Sequence, residues 1–253
     1  WVNEWYGSER ADHFSDYLLK ASQQSYNNET REKLLDFISD MDYPAIARAT
    51  ALEYFPLTGI EDEVEMLLIA LKDSSALVRY HALNKLNIFP LEERLAVSLE
   101  LAKDTIRGVR IGSAELIIEQ DLSQLPPEQR GYAIRAREEL EEMLEANADF
   151  PTGRLQRGDY FFRRNDVPKA IKEYEMALKM DSLLTPVYSN LATGYNLLGQ
   201  NQKAIATLDK LIELEPAYSR AYYLRGLLNY ELGNFVIAAQ DMESAIQYDP
   251  LNF

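Results

Sequence analysis

The sequence predicts an all-α protein in which helix pairs stack into a solenoid. Three observations lead to this prediction. A block of 31 residues recurs three times in the first half of the 253-residue chain, and a block of 34 residues recurs three times in the second half. Within each block, apolar residues lie three and four positions apart, as on one face of an α-helix. Units of this length bury their apolar faces by stacking on their neighbours.

The first repeat set occupies residues 30–125 and carries charges at a fixed spacing. An aspartate, then an arginine, then a small residue recur in each copy: Asp42, Arg48 and Ala51; Asp73, Arg79 and Ala82; Asp104, Arg110 and Ser113. We expect each aspartate to cap the second helix of its unit. We expect each arginine to reach the aspartate of its own or of a neighbouring unit, which would form a ladder. The Asp-x5-Arg pattern resembles HEAT repeats, and this resemblance implies three helix pairs.

The second repeat set occupies residues 151–253. Small residues recur at two positions of each copy and a large residue at a third: Gly158, Ala192 and Gly226; Ala170, Ala204 and Ala238; Tyr174, Leu208 and Met242. This pattern resembles the tetratricopeptide (TPR) repeat family. In that family the small residues let two helices approach closely, and the large residue fills the space between them. The resemblance implies three further helix pairs.

The remaining segments are assigned from their position beside the repeats. Residues 1–29 contain an apolar helical stripe and are predicted to cap the first repeat set. Residues 126–150 are predicted to form a connecting helix, in which Ala136, Leu140 and Met143 occupy the places of a second TPR helix. The whole prediction is therefore an α-solenoid in which HEAT-like pairs continue into TPR pairs as one superhelix.

The charge of the chain argues against two classes of partner. The formal net charge is −15, with 41 acidic residues against 26 basic ones. A chain of this charge is repelled by the phosphates of nucleic acid and by anionic membrane surfaces. No apolar run approaches the roughly 20 residues that span a bilayer. We therefore expect neither nucleic-acid binding nor membrane insertion, and interpret the partner as a protein or peptide.

No constellation of residues in the sequence predicts catalysis. The chain has no cysteine, and neither of its two histidines, His13 and His81, has a second histidine four positions away. A structural role for both is favoured over a zinc site. No phosphate loop, nucleotide fingerprint or nucleophile motif is present. We predict no catalytic residue, no metal site and no cofactor in this chain, and expect it not to be an enzyme.

The TPR resemblance implies a binding surface. In this family the first helix of each repeat lines a concave groove. The residues predicted to line it are Leu155, Asp159, Phe162, Arg163, Ser189, Asn190, Thr193, Asn196, Arg220, Tyr223, Leu227 and Tyr230. Aromatic anchors beside a few polar groups suit an extended peptide or a partner helix. The alternative is that some of these aromatic residues pack on the next repeat.

Some TPR proteins bind a C-terminal carboxylate through a clamp of Lys, Asn, Asn, Lys and Arg. In this chain Asn190 matches and Arg220 supplies a cation, whereas Leu155, Asp159 and Leu224 occupy the other three places. We therefore do not expect a clamp for chaperone tails. A second candidate surface for an acidic partner is a group of basic residues in the first TPR: Arg154, Arg157, Arg163, Arg164 and Lys169.

The order of the parts resembles the C-terminal half of large bacterial multihaem cytochrome c/TPR proteins. The resemblance rests on His13-Phe-x2-Tyr-x-Leu, on the run Pro-Ala-Ile-Ala-Arg-Ala-Thr-Ala-Leu at 44–52, and on the repeats that follow. It implies an exported parent protein in the periplasm, with haem only in an upstream domain; the cytoplasm is the alternative location. The chain would then be the docking arm of that protein.

The alternative function is a TPR assembly factor for cytochrome c maturation, which would bind the C-terminal tails of apoproteins. The chain stops directly after the third TPR copy, so we also expect self-association through that end.

Overall fold

The computed structural model describes residues 14–23, 27–57 and 61–250, without the side chains of Glu61 and Asp62. Over these ranges the chain forms fourteen α-helices, two short 3₁₀ helices and no strand. The predicted all-α class is therefore confirmed. The chain divides into two compact units, Trp1–Glu139 and Leu140–Phe253. His13, and most of the predicted N-terminal capping region, lie outside the described residues.

The first unit consists of helix pairs. Its helices are α1 (Phe14–Ser22), α2 (Asn28–Ser39), α3 (Ala45–Tyr54), α4 (Glu61–Ala70), α5 (Ala76–Lys85), α6 (Leu91–Leu101) and α7 (Arg107–Leu116), with 3₁₀ turns at Leu86–Ile88 and Leu122–Gln124. Helix α8 (Pro127–Ala146) follows and contributes its residues up to Glu139. The second helices of successive pairs contact each other, α3 against α5 and α5 against α7.

The 31-residue period of the sequence sets the packing of that helix row. The small residues Ala51, Ala82 and Ser113 are fully buried. A side chain of this size lets neighbouring helices approach closely, so the row packs tightly. Larger apolar residues at equivalent positions, such as Phe55 and Ile117, are also buried and fill the space beside them. Packing of this kind explains why the period is conserved from copy to copy.

The predicted ladder of arginines and acids connects each helix pair to the next. Arg48 donates to both carboxylate oxygens of Asp73, over 2.8 and 3.0 Å. Arg79 does the same to Asp104, over 2.7 and 2.9 Å. Two partners were predicted for each arginine, and the one that it reaches is therefore the aspartate of the next helix pair. Each pair is mostly buried, which makes these ion pairs costly to break from one side.

The ladder ends differently from the way it begins. Arg110 pairs with Glu139 of α8, over 2.8 and 2.7 Å, in place of an aspartate. At the other end Asp42 is exposed. The expected helix cap also needs a correction. Asp73 and Asp104 accept the backbone N–H two positions ahead, from Ser75 and Ile106, which are the residues before their helices begin.

The second unit repeats its helices in strict register. After the end of α8 come α9 (Pro151–Arg163), α10 (Val167–Met180), α11 (Thr185–Leu197), α12 (Asn201–Leu214), α13 (Ser219–Glu231) and α14 (Phe235–Tyr248). The turn inside each pair contains one residue with positive φ, again 34 positions apart: Asn165, Gly199 and Gly233. Glycine and asparagine adopt this left-handed conformation at low cost, so these positions end the first helix of each pair.

Close contact inside each pair depends on the predicted small residues. A Cβ atom built at Gly158 would lie 2.3 Å from the ring of Tyr174, and one at Gly226 would lie 3.0 Å from Met242. Tyr174 is 1% exposed and belongs to the core of this unit. The residues at the first and third recurring positions therefore contact each other across the pair, as the repeat pattern predicts.

Candidate functional site

The first helices of the three pairs, α9, α11 and α13, carry all twelve residues predicted to line a groove. Each of these helices has 13 residues and begins 34 positions after the one before it. Equivalent positions therefore fall on equivalent faces. Helices α9 and α11 are in direct contact.

A cavity of about 400 Å³, here called the Asp159 cavity, brings six of the twelve residues together. Its lining combines acidic, basic, amide, hydroxyl and aromatic groups: Asp159, Phe162, Arg163, Tyr174, Asn190, Thr193 and Arg220. These residues come from α9, α10, α11 and α13. A cavity of this size can hold a small group or one side chain, and its mostly polar lining favours a polar or charged one.

Asp159 is the most constrained polar group in the cavity. Its Oδ1 atom accepts a hydrogen bond from the Tyr174 hydroxyl, over 2.7 Å, and another from Nδ2 of Asn190, over 2.9 Å. Both bonds end on the same carboxylate oxygen. Within the part of the chain that the structure describes, the other oxygen, Oδ2, accepts no hydrogen bond.

The surroundings of Asp159 change its acidity and that of its donor. Burial raises the pKa of Asp159, while the bonds from Tyr174 and Asn190 and the charge of Arg163 act in the opposite direction. Burial also raises the pKa of Tyr174, and the hydrogen bond to Asp159 raises it further. Tyr174 therefore remains a protonated donor at neutral pH, and it fixes the orientation of the carboxylate.

Two arginines line the outer part of the Asp159 cavity. Arg163 and Arg220 are both exposed, in contrast to the half-buried Asp159. Thr193 donates its hydroxyl to the backbone oxygen of Ser189 over 2.9 Å, so its oxygen can still accept a hydrogen bond. The cavity thus has an acceptor-rich interior and a basic rim.

A second, smaller cavity of about 100 Å³ lies between α11 and α13. Its lining is mostly apolar: Ala192, Thr193, Asn196, Leu208, Leu224, Leu227, Leu228 and Glu231. Three of these, Thr193, Asn196 and Leu227, are among the predicted groove residues. Asn196 donates to Glu231 over 3.2 Å, so its amide already has a partner on the next helix pair.

Four predicted residues line neither of these cavities. Leu155 packs against the core of the unit, and Ser189 is buried within α11. Tyr223 is partly buried. Tyr230 is 63% exposed, and its ring lies edge-on to Phe235 at 5.5 Å. Phe235 belongs to the same helix pair as Tyr230, so this contact is not packing on the next repeat.

Sequence reasoning missed Tyr174 as a member of the site. The repeat pattern identifies it as the large residue between two helices, and its ring has that position. Its hydroxyl, however, reaches past the contact with Gly158 to Asp159. The other two copies have leucine or methionine at this position, so the tyrosine was the signal that could have indicated a polar role.

The basic residues of the first TPR are largely neutralised by neighbouring acids. Arg154 pairs with Glu173 over 2.8 Å, and Arg157 pairs with Glu145. Arg164 pairs with Glu141 over 3.1 Å, and Lys169 with Asp166 over 2.7 Å. Because these cations already have carboxylate partners, the group is a weaker candidate surface for an acidic protein than its sequence predicts.

The described residues offer few other kinds of site. No three histidine, aspartate or glutamate side chains among them converge in a way that would hold a metal ion. No helix in the described ranges is long and apolar enough to cross a bilayer.

Comparison with known proteins identifies tetratricopeptide repeats in two segments of the chain. Residues 134–183 match the sequence model of a tetratricopeptide repeat, and residues 194–233 match that of a TPR repeat. The Hsp70-Hsp90 organizing protein of Triticum aestivum is 27% identical over 120 residues, which is 47% of this chain and 21% of that protein. The FK506-binding protein-like protein of Homo sapiens is 34% identical over 104 residues, 38% of this chain and 30% of that protein.

The chain spans about a fifth of the length of the organizing proteins that it matches. Among solved structures, the first TPR of Spaghetti (RPAP3), bound to the HSP90 peptide SRMEEVD, is similar, with 23% identity and a TM-score of 0.40. That similarity covers 42% of this chain and 84% of the other.

Proposed function

We propose that this chain, whose residues 134–183 and 194–233 are tetratricopeptide repeats, is a non-catalytic scaffold that holds a segment of a partner protein. The observation that carries the proposal is the convergence of groove residues from three helix pairs on the Asp159 cavity. Such a convergence requires three repeats in register. It creates a site that none of the repeats contains alone.

The size and chemistry of the cavity suit a protein segment. A volume of about 400 Å³ accommodates one large side chain or two small ones of a chain that continues outside it. Phe162 offers an aromatic wall, and Arg163 and Arg220 offer cations at the rim. Arginines and aromatic residues contribute most of the binding energy at protein interfaces.

The bound segment differs from the C-terminal tail that some TPR proteins clamp. In the clamp of those proteins, amides and cations surround a free carboxylate. Here Asp159 replaces one of the amides, and two leucines, Leu155 and Leu224, replace two of the cations. A tail carboxylate would meet a like charge at Asp159 with only part of the compensating charge. We therefore propose an internal segment as the ligand.

A peptide selection tests the scaffold function. Peptides are selected from a random library on the full chain, and their affinities are measured by fluorescence anisotropy. We expect Phe162→Ala and Arg220→Ala each to weaken binding at least tenfold. Phe150→Ala and Lys172→Ala, which change exposed residues outside both cavities, serve as matched controls. Equal affinities for all four variants would show that the groove is not the binding site.

The resemblance to multihaem cytochrome c/TPR proteins extends the proposal to the parent protein. The chain would be the docking arm of an exported, periplasmic protein whose haem lies in an upstream domain. The alternative is an assembly factor that binds apocytochrome tails. The intact mass and reduced haemochrome spectrum of the native protein distinguish them: a larger chain with covalent haem supports the docking arm, and a haem-free protein contradicts it.

Self-association is the last part of the proposal, and α14 offers a surface for it. Phe235, Val236 and Ile237 are 61%, 73% and 48% exposed at the start of this helix. The equivalent residues of the preceding pair are the polar Asn201, Gln202 and Lys203. We expect a dimer by light scattering after size exclusion, and a monomer for Val236→Lys. A wild-type monomer at high concentration would contradict this.

A further inference from the structure

We propose that the interior of the Asp159 cavity is a subsite for one basic side chain, lysine or arginine, of the partner segment. This inference rests on the proposed scaffold function and adds the chemical class of the residue that the groove selects. It is carried by the arrangement of hydrogen-bond donors and acceptors in the cavity, which is opposite to that of a carboxylate clamp.

Two acceptor atoms in the interior accept no hydrogen bond from the described residues, whereas the Asn190 amide keeps one further N–H. The two groups that donate to Asp159, the Tyr174 hydroxyl and Nδ2 of Asn190, are both directed to its Oδ1 atom. Oδ2 of Asp159 and Oδ1 of Asn190 accept no hydrogen bond from any described residue. An ammonium group has three donors and a guanidinium group five, so either satisfies both acceptors at once.

The orientation of the Asn190 amide follows from charge. Turning the amide over would place its oxygen 2.9 Å from the carboxylate of Asp159, where two acceptors would repel each other. One of its two Nδ2 hydrogens is therefore bonded to Asp159, which leaves the amide with one N–H for a ligand. The one asparagine that matches the clamp of other TPR proteins thus already gives one of its two donors to Asp159.

The basic rim does not reverse this preference. Arg163 and Arg220 are exposed, and water and salt screen the field of exposed charges. Asp159 is more deeply placed, where a charged hydrogen bond is stronger. A partner segment with an acidic residue beside its basic anchor would pair that residue with Arg220 at the rim. The subsite therefore fits a segment of mixed charge whose basic residue points inward.

One substitution changes the interior from acceptor to donor with little disturbance of the fold. In Asp159→Asn the side-chain oxygen can still accept the bonds from Tyr174 and Asn190, since both end on Oδ1. The substitution replaces only Oδ2 by an NH₂ group. Asp149→Asn is the matched control, because Asp149 is exposed and lines neither cavity.

The test is a titration of the full chain, followed by NMR at the side-chain amide of Asn190. The probes are Nα-acetyl-lysine methylamide and Nα-acetyl-glutamate methylamide. We expect the lysine probe to saturate at a concentration at least tenfold lower than the glutamate probe. In Asp159→Asn this order should reverse, and in Asp149→Asn it should not change.

A glutamate probe that binds wild type as well as the lysine probe would overturn the subsite. So would a lysine affinity that Asp159→Asn leaves unchanged. The failure of the subsite is distinguishable from that of the scaffold. Library peptides that lack a basic residue but still depend on Phe162 and Arg220 would contradict the subsite alone. Library peptides whose affinity does not change in the Phe162 and Arg220 variants would contradict both the scaffold function and the subsite.

Discussion

Arg79 and Asp104 form a two-point ion pair, with Nε 2.7 Å from Oδ2 and Nη2 2.9 Å from Oδ1. This ion pair connects α5, the second helix of one helix pair, to the turn before α7, the second helix of the next helix pair. Arg79 also donates to the backbone oxygen of Asp73, in its own turn, over 2.7 Å. A single guanidinium therefore holds its own turn and the following one.

Removal of Arg79 is expected to destabilise the first unit. Arg79→Ala leaves the carboxylate of Asp104 mostly buried without its cation, which costs about 3 kcal/mol in the free energy of unfolding. Hydrogen exchange should rise in α5 and α7. Lys72→Ala, an exposed change in the same unit, is the control. Unchanged exchange in both helices would contradict a structural role for the ladder.

Acid should weaken the same ladder. Burial raises the pKa of Asp104, but hydrogen bonds from Arg79 and from the Ile106 amide outweigh it and lower the pKa below the ordinary 3.8. The bond from Arg110 lowers the pKa of Glu139 below 4.5, against an opposing effect of burial. A lowered folded-state pKa stabilises the fold above the ordinary value, and this stability is lost as the pH falls through these values.

The measurement is the free energy of unfolding from pH 7 to pH 3. Wild type should lose stability below about pH 4.5, where these carboxylates begin to bind protons. Asp104→Asn cannot titrate at this position, so its stability should fall less steeply over the same range. Parallel curves for the two proteins would show that Asp104 makes no linked contribution.

The ladder shows which contacts the 31-residue period of the sequence predicts and which it does not. The 31-residue spacing predicts which aspartates and arginines take part, and the neighbouring-unit alternative proves to be the right one. It does not predict Glu139. One period after Asp104 the sequence has Arg135, and the acid lies four residues later, on the same face of α8. Which acidic residue pairs with Arg110 depends on how α8 packs, and the period does not specify that packing.

The repeat pattern predicts which helices carry the groove, but it predicts only some of the residues that line it. The TPR period places α9, α11 and α13 in register, and six of the twelve predicted residues meet in the Asp159 cavity. Other predicted residues lie outside both cavities: Ser189 is buried, whereas Tyr230 is exposed beside Phe235. The hydroxyl of Tyr174 enters the site by its length, which a repeat pattern does not encode.

The contact between Gly158 and Tyr174 gives a matched pair of glycine substitutions. Gly158→Ala places a Cβ atom 2.3 Å from a ring that is buried and hydrogen-bonded, so we expect the second unit to lose about 1–3 kcal/mol. Gly131→Ala meets no atom within 4 Å and replaces an exposed glycine inside α8. It should gain up to about 1 kcal/mol from helix propensity. Urea unfolding followed by circular dichroism measures both, and equal effects would contradict the packing argument.

Completing the carboxylate clamp should convert the groove to a different ligand. The triple variant Leu155→Lys, Asp159→Asn, Leu224→Arg supplies the three groups that this chain lacks and adds three units of positive charge. Both leucines are partly buried against the core, and the long stems of lysine and arginine can cover the same apolar surface. Circular dichroism checks that the variant folds.

The probe for this conversion is the acidic peptide SRMEEVD, which ends in a free carboxylate. We expect wild type to bind it weakly and the triple variant to bind it at least thirtyfold more tightly by fluorescence anisotropy, because charged hydrogen bonds to the free carboxylate are then available. The same peptide with an amidated C-terminus should lose this gain, and higher salt should reduce it. The amidated peptide could instead bind the variant as tightly as the free acid. That result would show that the added charges attract the whole peptide and do not contact its carboxylate. Asp159 would then not be at the position where a ligand carboxylate binds.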